Sequence, residues 1–307
     1  MSLHFSHFID LPEHTKPGGF DHAAIHHTSN RLYVAHTIND ALDVIDCSSD
    51  RYLHSIPGLV GVAGALVAEE QNLVFTSNRG ENTVGVFSPG DEQGLVKIPV
   101  GYRPNGLSYD PWRGLLLAAN VGNPDIPGSF TLSVVDIHRK KMIYAIPSPG
   151  RTRWTVYDAK TDAFYVNISD PAQVVIVEAA HPDRVARILS IPAAGPHGLD
   201  LDDENRRLFC ACDAGKLLMI DLATGSVHGE TNLSGTPDVI FFNPSLHHLY
   251  VAVGDPGVID VFDTTSLTRM ETVSTEKGAH TLAFDTQRNK VYAFLPQTHR
   301  AAVYEDR

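Results

Sequence analysis

HGLDLDDENRRLFCAC, running from His197 to Cys212, carries the pattern that decides how the whole chain is read. A polar residue leads into a short apolar strand, residues 202–207 supply a turn, and a second apolar strand ends in a small or polar side chain. The pattern occurs seven times, the other copies being HAAIHHTSNRLYVAH from His22, GALVAEEQNLVFTSN from Gly64, NGLSYDPWRGLLLAAN from Asn105, WTVYDAKTDAFYVNI from Trp154, DVIFFNPSLHHLYVAV from Asp238 and HTLAFDTQRNKVYAFL from His280. The spacing is close to 42 residues, stretched once by VGNPDIPGS at 121–129, a Gly- and Pro-rich insertion that reads as an enlarged loop.

A third, β-branched strand follows each copy, as in ALDVID at 41–46, LSVVDI at 132–137 and VIDVFD at 258–263, and a fourth often ends in Pro and Gly, as in YLHSIPG at 52–58. Four short strands with alternating apolar positions and turns between them make one propeller blade. The chain therefore reads as all-β, a seven-bladed β-propeller of four antiparallel strands per blade, with residues 1–307 forming one domain. The seventh copy has only three strands before Arg307, and FSHFIDLP at 5–12 resembles the fourth-strand sequences, so the N-terminal strand is expected to close the last blade. Turns every 8–12 residues and β-branched runs argue against a helical solenoid.

With 307 residues, 43% of them hydrophobic and 20% charged, the chain has enough apolar surface for a large core, which excludes disorder and collagen. Its 24 Lys and Arg against 36 Asp and Glu give a net charge of −12, so phosphate backbones and anionic membrane surfaces are poor partners. No apolar run approaches the roughly 18 residues of a spanning helix. The start, with no basic region followed by an apolar stretch, points to a cytoplasmic protein. Three cysteines, Cys47, Cys210 and Cys212, are too few for a disulfide framework and fit a reducing compartment.

LYVAH, FYVNI and LYVAV, the VIDVFD-type third strands and IPVGYRPNGLSYD resemble the YVTN-type repeats of the bacterial, lactonase-like seven-bladed propeller family. The resemblance covers nearly the whole chain and implies the fold without fixing an activity. Gluconolactonase-type propellers are similar in blade number, but their metal site uses an acidic residue with asparagines, whereas Asn105 is the one axial asparagine expected here.

In an antiparallel blade the start of the first strand and the end of the second lie at the same end of the sheet. The innermost strand lines the axis, so the first letters of the seven copies, His22, Gly64, Asn105, Trp154, His197, Asp238 and His280, are expected at one mouth of the channel. Ring closure then makes His197, Asp238, His280 and His22 an unbroken arc of three imidazoles and a carboxylate, a donor set suited to a divalent metal ion such as Zn, Fe, Mn or Cu. The second-strand ends, including His36, Asn78, Asn120, Asn167 and Cys212, are expected near the same mouth. His36 is the candidate acid or base, and Asn78, Arg79, Asn105, Asn120, Arg153 and Trp154 are candidate contacts to substrate. Asp213 and neighbouring loop carboxylates are placed to orient a histidine through its second nitrogen. His26, His27, His247 and His248 fall in turns and are expected in solvent.

These residues support a metal-dependent hydrolase or lyase acting on a small polar molecule, with two alternatives: a metal-free lyase or epimerase using His22, His197 or His280 beside Asp238, and a non-catalytic binding scaffold. No G-x-S-x-G, H-E-x-x-H, Walker loop or C-x-x-C occurs to name another chemistry.

Overall fold

The reason the second strands read as unbroken apolar runs lies in how the sheets pack. In the computed structural model, which describes residues 2–307, strand Arg207–Cys212 is covered on both faces. Leu208, Cys210 and Cys212 pack with Tyr165 and Val174 of the preceding sheet, while Phe209 and Ala211 pack with Leu249 and Val251 of the following one. A strand buried on both faces has no polar side to show. The outer strands, such as Arg187–Ser190, are largely exposed and accordingly mixed in composition.

Seven four-stranded antiparallel sheets result, each forming one blade of a β-propeller; six have their strands in simple sequential order, and the last takes its outer strand from the start of the chain. Their inner strands are Asp21–His26, Val62–Ala68, Pro104–Asp110, Thr152–Asp158, Pro196–Asp202, Thr236–Asn243 and Thr281–Asp285. The only helical element among the described residues is one 3-10 turn at Thr37–Asn39, and no helix there is long and apolar enough to cross a membrane. All three cysteines are buried free thiols.

The turn between first and second strands is built alike in every blade. The residue before the second strand has a left-handed backbone in all seven: Asn30, Asn72, Gly114, Asp162, Arg206, His247 and Asn289. Asn, Asp and Gly predominate because they tolerate that conformation best. In five blades the Asp or Asn ending the first strand accepts a main-chain N–H from the turn, as Asp110 does from Trp112 at 2.9 Å and Asp202 from Asn205 at 3.0 Å. Two histidines expected in solvent are buried instead: His26 Nδ1 meets Ser29 Oγ at 2.8 Å, and His248 Nδ1 meets Asp306 at 2.7 Å. Each has a hydrogen-bond partner for its Nδ1, within the turn for His26 and on the neighbouring blade for His248, which makes burial of an imidazole tolerable. His247 is exposed.

The last blade is closed by the N-terminal strand, Leu3–Asp10, which pairs antiparallel with Arg300–Asp306 from Leu3↔Asp306 to Asp10↔Arg300. It begins two residues earlier than the 5–12 expected. Leu3 is buried in the core between the last two blades, and Glu271 accepts the main-chain N–H groups of Ser2 and Leu3, both at 2.7 Å. The far end stops before Pro12, which has no N–H to donate.

Candidate functional site

The side chains that reach the axis do so through a recurring irregularity. In six blades the pairing of first and second strands slips near the start of the inner strand: between Asp21 and Ala23, Val62 and Gly64, Pro104 and Leu107, Thr152 and Thr155, Pro196 and Gly198, and Pro237 and Ile240. The unpaired residues are His22, Ala63, Asn105 with Gly106, Arg153 with Trp154, His197, and Asp238 with Val239. A bulge re-aims the side chain it carries. The second blade presents Ala63 there, one residue before the expected Gly64. Tight apposition of adjacent inner strands fixes the companion glycines: a methyl on Gly106 would lie 2.5 Å from the Arg153 carbonyl, and one on Gly198 would collide with the Asp238 carbonyl.

Three of the four predicted arc residues meet on one carboxylate. Asp238 Oδ1 lies 3.1 Å from His197 Nε2, and Oδ2 lies 3.9 Å from His280 Nε2. His197 Nδ1 is held by Asp213 Oδ1 at 2.7 Å, so this imidazole stands between two carboxylates. Burial opposes its ionisation, but the charge of Asp238 and hydrogen bonds to Asp213 and Asp238 outweigh that and raise its pKa to about 9. Burial likewise disfavours the Asp238 anion, yet His197, His280 and His22 hold its carboxyl well below the usual carboxylate range. His280 Nδ1 is 2.8 Å from the Gly278 carbonyl, which only accepts, so the proton of the neutral ring sits on Nδ1 and Nε2 presents a lone pair. His280 is also the most open of the group, with 36% of its side chain exposed.

His22 occupies a different role. Its Nε2 is 3.2 Å from Asp21 Oδ1, burial lowers its pKa, and its ring lies against Trp154 with centroids 4.1 Å apart. The two come from the first and fourth blades, so their contact spans the axis and floors the mouth. Phe241 meets the other edge of Trp154 at 6.4 Å.

Arginines line the facing side. Arg153 places Nη1 3.1 Å from His197 Nε2 and Nη2 3.3 Å from Asp213 Oδ2; with the ring protonated, Asp213 and Asp238 offset this cation–cation contact. Arg79 donates to Asn105 Oδ1 at 2.6 Å and Asp21 Oδ2 at 3.2 Å. Arg151 has its pKa lowered by burial and then by Arg153, Arg79 and Arg103, so these guanidinium groups lie within electrostatic reach of one another. Asp21, Arg103 and Arg151 were not singled out from sequence; Arg103 lies two residues before axial Asn105 and Arg151 three before axial Trp154, and that closeness to an axial residue is the signal that marks them.

Other predicted residues are turned into the blade. His36 is fully buried, with Nδ1 2.8 Å from Asp43 Oδ2, and its ring packs on Phe20 and His14 at 4.5 and 4.9 Å. It therefore joins the wall of the first blade and not the axial group. Asn78 donates to Thr83 at 3.0 Å, and Asn120 donates to Thr131 and Ser133 at 2.9 Å each, tying second strand to third. Asn167 donates to the carbonyl of His197 at 2.9 Å and supports its backbone. Cys212 is buried beside Cys210, the sulfurs 3.9 Å apart. As arranged, the four predicted metal ligands do not converge on a point: both nitrogens of His197 face carboxylates, Arg153 crowds Nε2, and His22 turns to Asp21. Among the described residues no group of three or more His, Cys, Asp or Glu is spaced to hold a metal ion.

No family model matches the chain, and no curated protein matches it. Among solved structures, Kuenenia stuttgartiensis hydrazine synthase is similar, with a TM-score of 0.81 over 95% of this chain and 96% of that chain at 15% sequence identity. A likeness at that identity is one of fold, the seven-bladed propeller.

Proposed function

We propose that the chain is an acid–base enzyme, a lyase or epimerase, acting on a small anionic molecule at the arginine-lined mouth. The observation that carries this is Asp238 set between two imidazoles in unlike settings, His197 with both nitrogens on carboxylates and its pKa raised to about 9, and the more open His280 with its Nδ1 on the Gly278 carbonyl. Groups whose environments push them apart in protonation are a source of acid and base assignments. Arg79, Arg151 and Arg153 would hold a carboxylate by charge and fork geometry. His280 Nε2 would take the proton from the carbon beside that carboxylate. The electron pair left by the C–H bond then either retakes a proton on that carbon, inverting the centre, or forms a double bond as the β-hydroxyl leaves, protonated by His197, as water.

A metal-dependent hydrolase is the second reading, supported by the imidazole and carboxylate donor types but requiring His197 Nε2 to leave Asp238 and Arg153. Metal analysis of the purified protein separates the two, and stoichiometric metal at the arc would favour the second. The LYVA-type second strands fit the YVTN-type repeat, and three free buried thiols fit the cytoplasm as the proposed location.

The test is exchange. Incubating the protein in D2O with 2- and 3-hydroxy carboxylates and sugar acids should wash deuterium into the carbon beside the carboxylate of at least one of them, read by NMR. His280→Gln should slow that exchange about 100-fold or more. If no acid exchanges, or if His280→Gln exchanges at the parent rate, the proposal fails.

A further inference from the structure

The floor made by Trp154 and His22 divides the channel, and its far side is a separate cavity of about 770 Å³ opening among the turns between first and second strands. None of His197, Asp238, His280 or the arginines lines it. Five aromatic side chains do: Tyr109, Trp112, Trp154, Tyr157 and Phe241. The acidic lining groups are Asp200, Glu69 and Glu70, and no Lys or Arg is present in the lining. Burial lowers the pKa of His22 at the floor, which disfavours its charged form.

Asp200 is the acid set deepest, on the inner strand Pro196–Asp202. Its Oδ1 accepts the N–H of Leu201 at 2.8 Å and its Oδ2 that of Phe242 at 2.7 Å, which anchors the carboxylate while each oxygen keeps a lone pair. Burial raises its pKa to about 6 against those two hydrogen bonds, and no cationic side chain contributes. A neutral apolar occupant would strip water from this carboxylate without replacing it. An anion would be repelled by all three acids. A cation with an apolar body satisfies both walls, its charge on Asp200 and its alkyl or aryl groups on aromatic faces. The volume lies in the range of pockets for small organic ligands.

We propose that this end of the channel binds a small organic monocation, an alkylated ammonium carrying an apolar or aromatic body. The site is independent of the proton-transfer chemistry on the other side of the floor.

The chain has two tryptophans, Trp112 and Trp154, and both line this cavity, so intrinsic emission reports on it directly. Full-length protein is titrated with benzyltrimethylammonium, benzyl alcohol and benzoate, followed by fluorescence and calorimetry. The cation should give a saturable signal, with benzyl alcohol at least tenfold weaker and benzoate silent. Asp200→Asn should weaken the cation at least tenfold and leave benzyl alcohol unchanged. Trp112, 80% exposed at the rim, is replaceable without loss of core, so Trp112→Ala provides a folded second variant, expected to weaken the cation several-fold. Asp238→Asn should leave the titration unaltered. The proposal is overturned if calorimetry detects no saturable cation binding, if cation and alcohol bind alike, or if folded Asp200→Asn binds the cation as tightly as the parent.

Discussion

Replacing Asp238 by Asn removes the charge shared by His197 and His280 while keeping the side chain's shape. His197 is raised from 6.5 to about 9 in the folded protein, a shift worth about 3 kcal/mol at 1.36 kcal/mol per unit. Asp213 stays in place and retains part of it, so Asp238→Asn should cost about 2 kcal/mol at pH 7. For a chain of 307 residues that is a fall in Tm of about 3 °C. The pH dependence carries the sharper content. A histidine raised above its unfolded value contributes fully below about pH 6.5 and loses that contribution as pH climbs through about 9. Asp238, depressed, contributes above the ordinary carboxylate range and loses it as pH falls toward its folded value. The pair thus supports the fold between those limits, and the gap between parent and variant should narrow as pH rises from about 6.5 and be nearly closed by about pH 9. Thermal unfolding from pH 5 to 10 reads the gap, and NMR titration of the His197 ring reads the pKa, expected to drop by at least one unit in the variant. A parent His197 that already titrates near 6.5, or a gap constant from pH 6 to pH 10, refutes the reasoning.

Two further outcomes follow from the inner strands and the ring closure. Gly198→Ala drives a methyl into the Asp238 carbonyl, so it should destabilise by about 2 kcal/mol or more in urea unfolding and shift the His197 ring resonances. Removing residues 2–10 strips the last blade of its outer strand and exposes the edge of Arg300–Asp306, so the truncated chain should unfold about 9 °C lower, as about 6 kcal/mol of lost burial and pairing implies, or aggregate on light scattering.

Blade number and blade anatomy were legible because period-two alternation and paired-face burial leave their mark on every second strand, LYVAH and RLFCAC alike. Ring closure was legible from FSHFIDLP for the same reason. The axial arc was legible only in part. His197, Asp238 and His280 sit together, but the bulges that aim them leave no compositional trace, which is why Ala63 and not Gly64 stands in the second blade's slot. His36, Asn78 and Asn120 share another cause. A polar residue ending the second strand meets a polar residue on the third: Asp43 for His36, Thr83 for Asn78, Ser133 for Asn120. Asp43 in ALDVID and Ser133 in LSVVDI interrupt apolar strands, and that interruption is the sequence signal that these ends face inward.

The pairing of Leu3–Asp10 with Arg300–Asp306 also orders events in time. During synthesis the outermost strand of the last blade emerges ahead of the six blades that precede its partner, then waits nearly the whole chain for it. Loop closure over that separation comes late and slowly. Phe5 and Phe8, half exposed even in the finished ring at 51% and 49%, are bare throughout that interval. The segment is therefore an apolar strand that a chaperone can hold until its partner is made, and one that crowding during expression exposes to wrong pairings.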